Sequence, residues 1–238
     1  MKQLAILLLL IGSYFNVNAQ KFAIINDADG FVNVREKPNI YAAIRGKLYQ
    51  GDIFSFDAET KVDWVAIYKQ VSSNYGIEGY VHKTKIWPLS KLKKSRNPVI
   101  NFNSSIATLD SLVVTVLSAK FIPKKHKLKY SKTEAGCKNC ATYLSSIDEK
   151  HIWGTDGGIP KSTITSLKIT HSGSSIVIPR SGFNDLYEPN LKTLQIFRKD
   201  NKTIFIYMNN SDGAGGYSVI WVIKNGKYFK RYLDNSEA

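Results

Sequence analysis

The sequence predicts a mainly all-β protein, with a small N-terminal barrel followed by a second β-rich sandwich or barrel domain that carries one or two short helices. Three observations point there. Short apolar or alternating runs recur along the chain without sustained helical periodicity. Gly, Asn, Asp and Pro stand between those runs, where their side chains or free φ favour turns. A basic, apolar-poor stretch bracketed by Pro88 and Pro98 reads as an exposed boundary between two units. A hydrophobic content of 43% is enough to give each unit a core.

The first 19 residues stand apart. Lys2 precedes an apolar run from Leu4 to Ile11, and Val17-Asn18-Ala19 offers small residues for a signal peptidase. The run is too short to span a bilayer, which takes about 20 apolar residues. Residues 1–19 are therefore expected to be a signal peptide cleaved before Gln20, giving an exported chain, periplasmic or extracellular. No Cys stands at the cleavage site, so a lipid anchor is not expected. No later run is long and apolar enough to span, so no transmembrane segment is expected in the mature chain. The formal charge of +14 is shared between both halves. Outside the cytoplasm such a surface favours acidic polymers, anionic headgroups or acidic proteins, and argues against nucleic acid as the partner.

Residues 21–90 divide into strands and turns. Phe22 to Ile25 is apolar, and Asn26 to Gly30 is a turn. Phe31 to Arg35 alternates, with Val32 and Val34 on one face. Pro38 and Asn39 stop that strand. Ile44, Leu48, Ile53 and Phe56 supply apolar positions around Gly46 and Gly51. Trp64 to Tyr68 and Gly76 to Val81 complete the set. Residues 91–100 form the expected linker, with Lys91, Lys93, Lys94 and Arg96. In residues 101–238, Leu112 to Leu117 reads as a strand buried on both faces, with Lys127 to Tyr130 able to pair with it. Strands follow at Thr165 to Thr170, Ser175 to Ile178, Leu194 to Arg198 and Thr203 to Met208. Tyr217 to Ile223 and Tyr228 to Tyr232 form a hairpin around Asn225-Gly226, a type I′ turn pair. Short helices are expected at Cys140 to Ser146 and Phe183 to Tyr187.

Four pieces occur in order: Gly30-Phe31-Val32-Asn33-Val34-Arg35, Gly46-Lys47-Leu48-Tyr49-Gln50-Gly51-Asp52, Asp63-Trp64-Val65-Ala66-Ile67 and Gly79-Tyr80-Val81-His82. On these, residues 30–87 resemble the bacterial SH3 family (SH3b). The resemblance implies a small barrel that often tethers exported proteins to cell-wall peptides or to other proteins. It assigns Asn33 and Arg35 structural roles and makes Trp64 and Tyr80 candidate ligand-stacking residues, or else packing residues of the barrel wall. The segment Lys69 to Ile77 is longer than the family's usual hairpin. Ile152 to Gly158 and Asn210 to Tyr217 resemble C-terminal regions of exported proteins from Bacteroidetes-like bacteria, a resemblance that implies no activity.

Other constellations suggest chemistry more weakly. Cys137-Lys138-Asn139-Cys140 reads as a local disulfide in an oxidising compartment, with zinc or redox use as alternatives. The glycine-rich loops bearing Asp156, Asn210 and Asp212 read as tight turns, or as a calcium site if those oxygens converge. The four histidines, His82, His126, His151 and His171, fall in no recognisable nucleophile–base pattern. The basic run of Lys124, Lys125, His126, Lys127 and Lys129 suits a solvated strand edge or an anion surface. No cofactor is expected. The expected function is a non-catalytic binding or adaptor protein of the cell envelope that recognises peptidoglycan peptide or an envelope protein. The alternatives are a cell-wall hydrolase with chemistry in the C-terminal domain, or a secreted immunity or inhibitor protein.

Overall fold

The computed structural model describes residues 22–59, 62–72, 75–134, 136–211 and 213–235. The expected signal peptide, 1–19, and Asp212 lie outside the described residues. Seven strands make the first unit: β1 (Phe22–Ile25), β2 (Phe31–Arg35), β3 (Ile44–Tyr49), β4 (Ile53–Phe56), β5 (Trp64–Ser72), β6 (Tyr75–His82) and β7 (Ile86–Pro88). They form one sheet in the order β3-β2-β6-β5-β4-β1-β7. The sheet wraps a core of Val32, Val34, Leu48, Phe54, Val65, Ile67, Val81 and their neighbours. Alternation decides the inward face: Val32 and Val34 are buried, while Phe31, Asn33 and Arg35 between them face outward.

The second unit adds β8 (Lys93–Lys94), β9 (Val99–Asn101), β10 (Ser104–Leu109), β11 (Leu112–Lys120), β12 (Leu128–Lys132) and β13 (Thr142–Ile147). It continues with β14 (Ser162–His171), β15 (Ser174–Val177), β16 (Gln195–Arg198), β17 (Thr203–Asn210), β18 (Tyr217–Lys224) and β19 (Lys227–Asp234). One five-stranded sheet runs β15-β14-β11-β10-β9, and a second runs β19-β18-β17-β16-β8. Their facing side chains, among them Val114, Ile169, Ile206, Val219 and Trp221, form a shared core, so the unit is a β-sandwich. β12 and β13 form a separate two-stranded sheet over Phe121, Ile152 and Tyr187. The β18–β19 hairpin turns at Asn225 (φ 49°) and Gly226 (φ 71°), the two positive-φ positions a type I′ turn requires.

The sheet ending in β18 and β19 is covered on both sides. Along β18, Val219, Trp221 and Ile223 enter the sandwich core. Ile220 and Val222 point the other way, toward Phe22, Ile24 and Ile53 of the barrel. This explains the unbroken apolar run of β18. Polar contacts cross the same junction. Tyr232 Oη donates to Asp234 Oδ2 at 2.7 Å, Ser55 Oγ donates to the same oxygen at 3.3 Å, and the Gln70 N–H donates to Tyr232 Oη.

Several expectations are corrected. The stretch read as a linker carries Leu89 and Leu92 into the junction core. Just beyond them, β8 pairs with β16, and Ser95 exchanges hydrogen bonds with Ile196. Leu112 to Leu117 is buried on one face only, because Val113 and Thr115 point outward. β11 pairs with β10 and β14, while β12, the segment expected beside it, pairs with β13. The helix expected at Cys140 to Ser146 is largely strand β13, and Phe183 to Tyr187 is a turn with isolated bridges. Short 3-10 turns are the only helical pieces among the described residues, and no helix there is long and apolar enough to cross a membrane.

Candidate functional site

The outer face of the barrel carries a groove of about 710 Å³. Its floor comes from β2, β5 and β6: Phe31, Asn33, Trp64 and His82 all lie on the outward side of their strands. Two loops form its walls. One, residues 26–30, is closed by hydrogen bonds from Gly30 N to Asp27 O and from Asp29 N to Asp27 Oδ1, and is pinned by a Lys85–Asp27 ion pair. That ammonium holds the Asp27 carboxyl below its ordinary value of 3.8. The other wall, residues 36–43, is held by Arg35, whose Nη1 donates to Ala42 O at 2.8 Å. An Asx-type bond from Tyr41 N to Asn39 Oδ1 shapes its tip. Ile40 and Tyr41 project from that tip, and Tyr41 is 95% exposed.

The chemistry of the groove is mixed. The Trp64 and His82 rings meet edge to face, 5.5 Å between centroids. His82 Nδ1 accepts from Thr84 N and lies 2.8 Å from Thr84 Oγ1, which fixes the ring against the tryptophan. Asn33 Oδ1 is buried in the groove wall and has no hydrogen-bond partner. A buried acceptor without a donor costs about 1–3 kcal/mol, a local cost to the fold, since the oxygen lies beneath the groove surface. Gly79 (φ 150°) makes the crossing of β6 over β2 possible, since a Cβ there would lie 2.5 Å from Arg35 O.

Residues 30–85 match the family model of the bacterial SH3 domain. The match spans β2 to β6, the strands that build the groove. No curated protein and no solved structure matches the chain. Within the SH3 barrel, Trp64 lies in the groove floor. Tyr80 shares the outward face through its register with Ala66 and Arg35, yet does not line the groove. Asn33 and Arg35, to which the resemblance gives structural roles, both serve the frame of the groove: Arg35 fixes a wall, and Asn33 lies in the floor with its oxygen buried. The only sequence signal for Asn33 was its place on the polar side of an alternating strand.

The sandwich distributes its candidates differently. Cys137 and Cys140 are joined by a disulfide in the loop between β12 and β13. Glu134 lies beside the two sulfurs, which are bonded to each other. The two glycine-rich loops do meet: Gly215 packs on Gly154 and Thr155, 3.0 Å from a Cβ position. Asp156 is exposed, whereas Asn210 is fully buried with its Oδ1 accepting Asn190 N–H at 3.0 Å. The histidines are scattered. His126 pairs with Asp148 at 2.7 Å and stacks on Phe121. His151 packs edge to face on Trp153, and burial holds its pKa down. The carboxylate closest in influence to His151 is Asp185, which is engaged by Arg231 through two bonds of 2.6 and 2.5 Å.

Proposed function

We propose that this is an exported binding protein of the cell envelope whose SH3 barrel takes an extended peptide segment in the groove. The observation that carries the reading is the walled groove with the Trp64, Phe31 and Tyr41 rings in its lining. An extended peptide offers flat apolar or amide surface for those rings. The preformed walls lower the ordering cost of binding. Wall stem peptide, or a terminal segment of an envelope protein, meets this description. Export rests on the apolar N-terminal run. The non-catalytic reading rests on what the candidate groups touch: Cys137 is bonded to Cys140, and His126 and His151 face Asp148 and Trp153. Co-sedimentation with purified peptidoglycan and titration with soluble stem peptide test it. Binding should fall at least about tenfold, or 1.4 kcal/mol, in Trp64→Ala and in Tyr41→Ala. Absence of binding to sacculi and to stem peptide at low salt rules out the wall version.

A further inference from the structure

The junction between barrel and sandwich holds a second, separate cleft of about 370 Å³. Its floor is Ile24 from the barrel with Phe205 and Val222 from the central sheet. Its rim is cationic. Lys199 and Lys202 come from the β16–β17 turn and Lys224 from the end of β18, and none of the three forms an ion pair with a described residue. Asp200 is the only carboxylate in the lining, and its Oδ1 is occupied by the backbone N–H groups of Lys202 and Thr203, 2.7 Å each.

The positive field extends beyond the rim. Asp52 at the barrel turn serves two lysines at once: Oδ2 lies 2.7 Å from Lys69 Nζ, and Oδ1 lies 4.0 Å from Lys230 Nζ. Lys224 Nζ reaches over the same turn and rests 4.3 Å from the Phe229 ring. It can do so because position 51 is glycine, where a Cβ would stand 3.1 Å from that ammonium. Burial and the neighbouring Lys69 and Lys224 depress Lys230, as expected where like charges outnumber the counter-ion.

The geometry points to an anion site at this junction, one that takes phosphate groups of an acidic chain. Three lysines against one carboxylate leave the lining with an excess of positive charge, and the closely spaced charges of a phosphate chain meet it more fully than carboxylates spaced along a peptide. Clefts between units are common ligand sites. The site is independent of the peptide groove, which lies on the outer face of β2, β5 and β6.

The test is binding of linear polyphosphate to the full chain by calorimetry at low and moderate salt, with polyglutamate as the carboxylate arm. Polyphosphate should bind, weaken with salt, and bind several-fold more tightly than polyglutamate. The triple variant Lys199→Glu, Lys202→Glu, Lys224→Glu should weaken it by about tenfold or more. Lys120→Glu, Lys161→Glu, Lys168→Glu makes the same charge change at exposed positions on or beside β11 and β14 and should weaken it far less. Lys202→Glu alone, at an exposed turn, gives a folded variant with an intermediate loss. Trp64→Ala should bind polyphosphate as the parent does. Equal losses in the two triple variants, no binding at low salt, or equal affinity for polyglutamate would each overturn the assignment.

Discussion

In the barrel, Phe31, Trp64 and Tyr41 stand around an open groove beside an acceptor that nothing satisfies. In the sandwich, Trp221 is fully buried and its indole N–H is donated to Gly182 O at 2.8 Å. Tyr217 is likewise enclosed, with its hydroxyl on Tyr187 O, and Asp185 and Arg231 satisfy each other. The same residue types thus close a core in one unit and line a surface in the other. What separates them is exposure: Tyr41 is 95% exposed, whereas Trp221 and Tyr217 are enclosed. The barrel is also the smaller unit, and one side of it rests on the sandwich through Phe22, Ile24 and Ile53. The groove itself is lined by barrel residues alone.

The largest test of this contrast is removal of the scaffold. A fragment ending at Pro88 exposes Phe22, Ile24 and Ile53 and loses the cover of Phe205, Ile220 and Val222. At about 60–70 residues a domain has little stability to lose, so the fragment should lack the dispersed amide spectrum of a folded chain. A well-dispersed spectrum would show that the barrel needs no support. Next, Trp221→Ala should destabilise the full chain by about 3–5 kcal/mol in urea unfolding, the range for emptying a buried aromatic site. Trp64→Ala should cost well under half of that.

Tyr232→Phe probes the junction itself. Burial and Asp234 keep the phenol protonated, and its loss removes the bonds to Asp234 and Gln70. A cost of about 1–2 kcal/mol is expected, with an unchanged peptide groove. The smallest effect concerns pH. The folded pKa of Asp27 lies below its ordinary 3.8, so its stabilising contribution is complete above that value and is lost as pH falls through the folded pKa. Asp27→Asn should flatten the acid side of the melting-temperature profile. An unchanged acid slope would mean that Lys85 does not hold the 26–30 wall.

Much of the barrel was legible because its strands alternate cleanly, as Val32 and Val34 against Phe31, Asn33 and Arg35 show. The Asn225-Gly226 turn was legible for its demand on φ. β13 was not, for a specific reason. Its register with β12 slips so that Ser145 is left over between Leu144 and Ile147. Those two buried residues then stand three apart, the spacing of a helix face. The supposed linker hid Leu89 and Leu92 among lysines, and composition averaged over the segment outweighed two positions that matter. Of the groove, Trp64 was visible in sequence, while the loops that wall it were seen only as turns. The free state of Asn33 Oδ1 depends on what lies around it in space, which no local pattern records.

The doubly covered central sheet also constrains how the chain matures. The residues that close over Phe22 and Ile24 come from β17, β18 and β19, near the far end of the sequence. As the chain emerges N-terminus first, the barrel strands are complete while one flank stays uncovered until β17, β18 and β19 follow. Such long-range closure slows assembly and leaves a sticky intermediate during the interval. Premature termination within β18 or β19 therefore damages the first unit as well as the last, and holdase chaperones have a defined surface to shield until synthesis is complete.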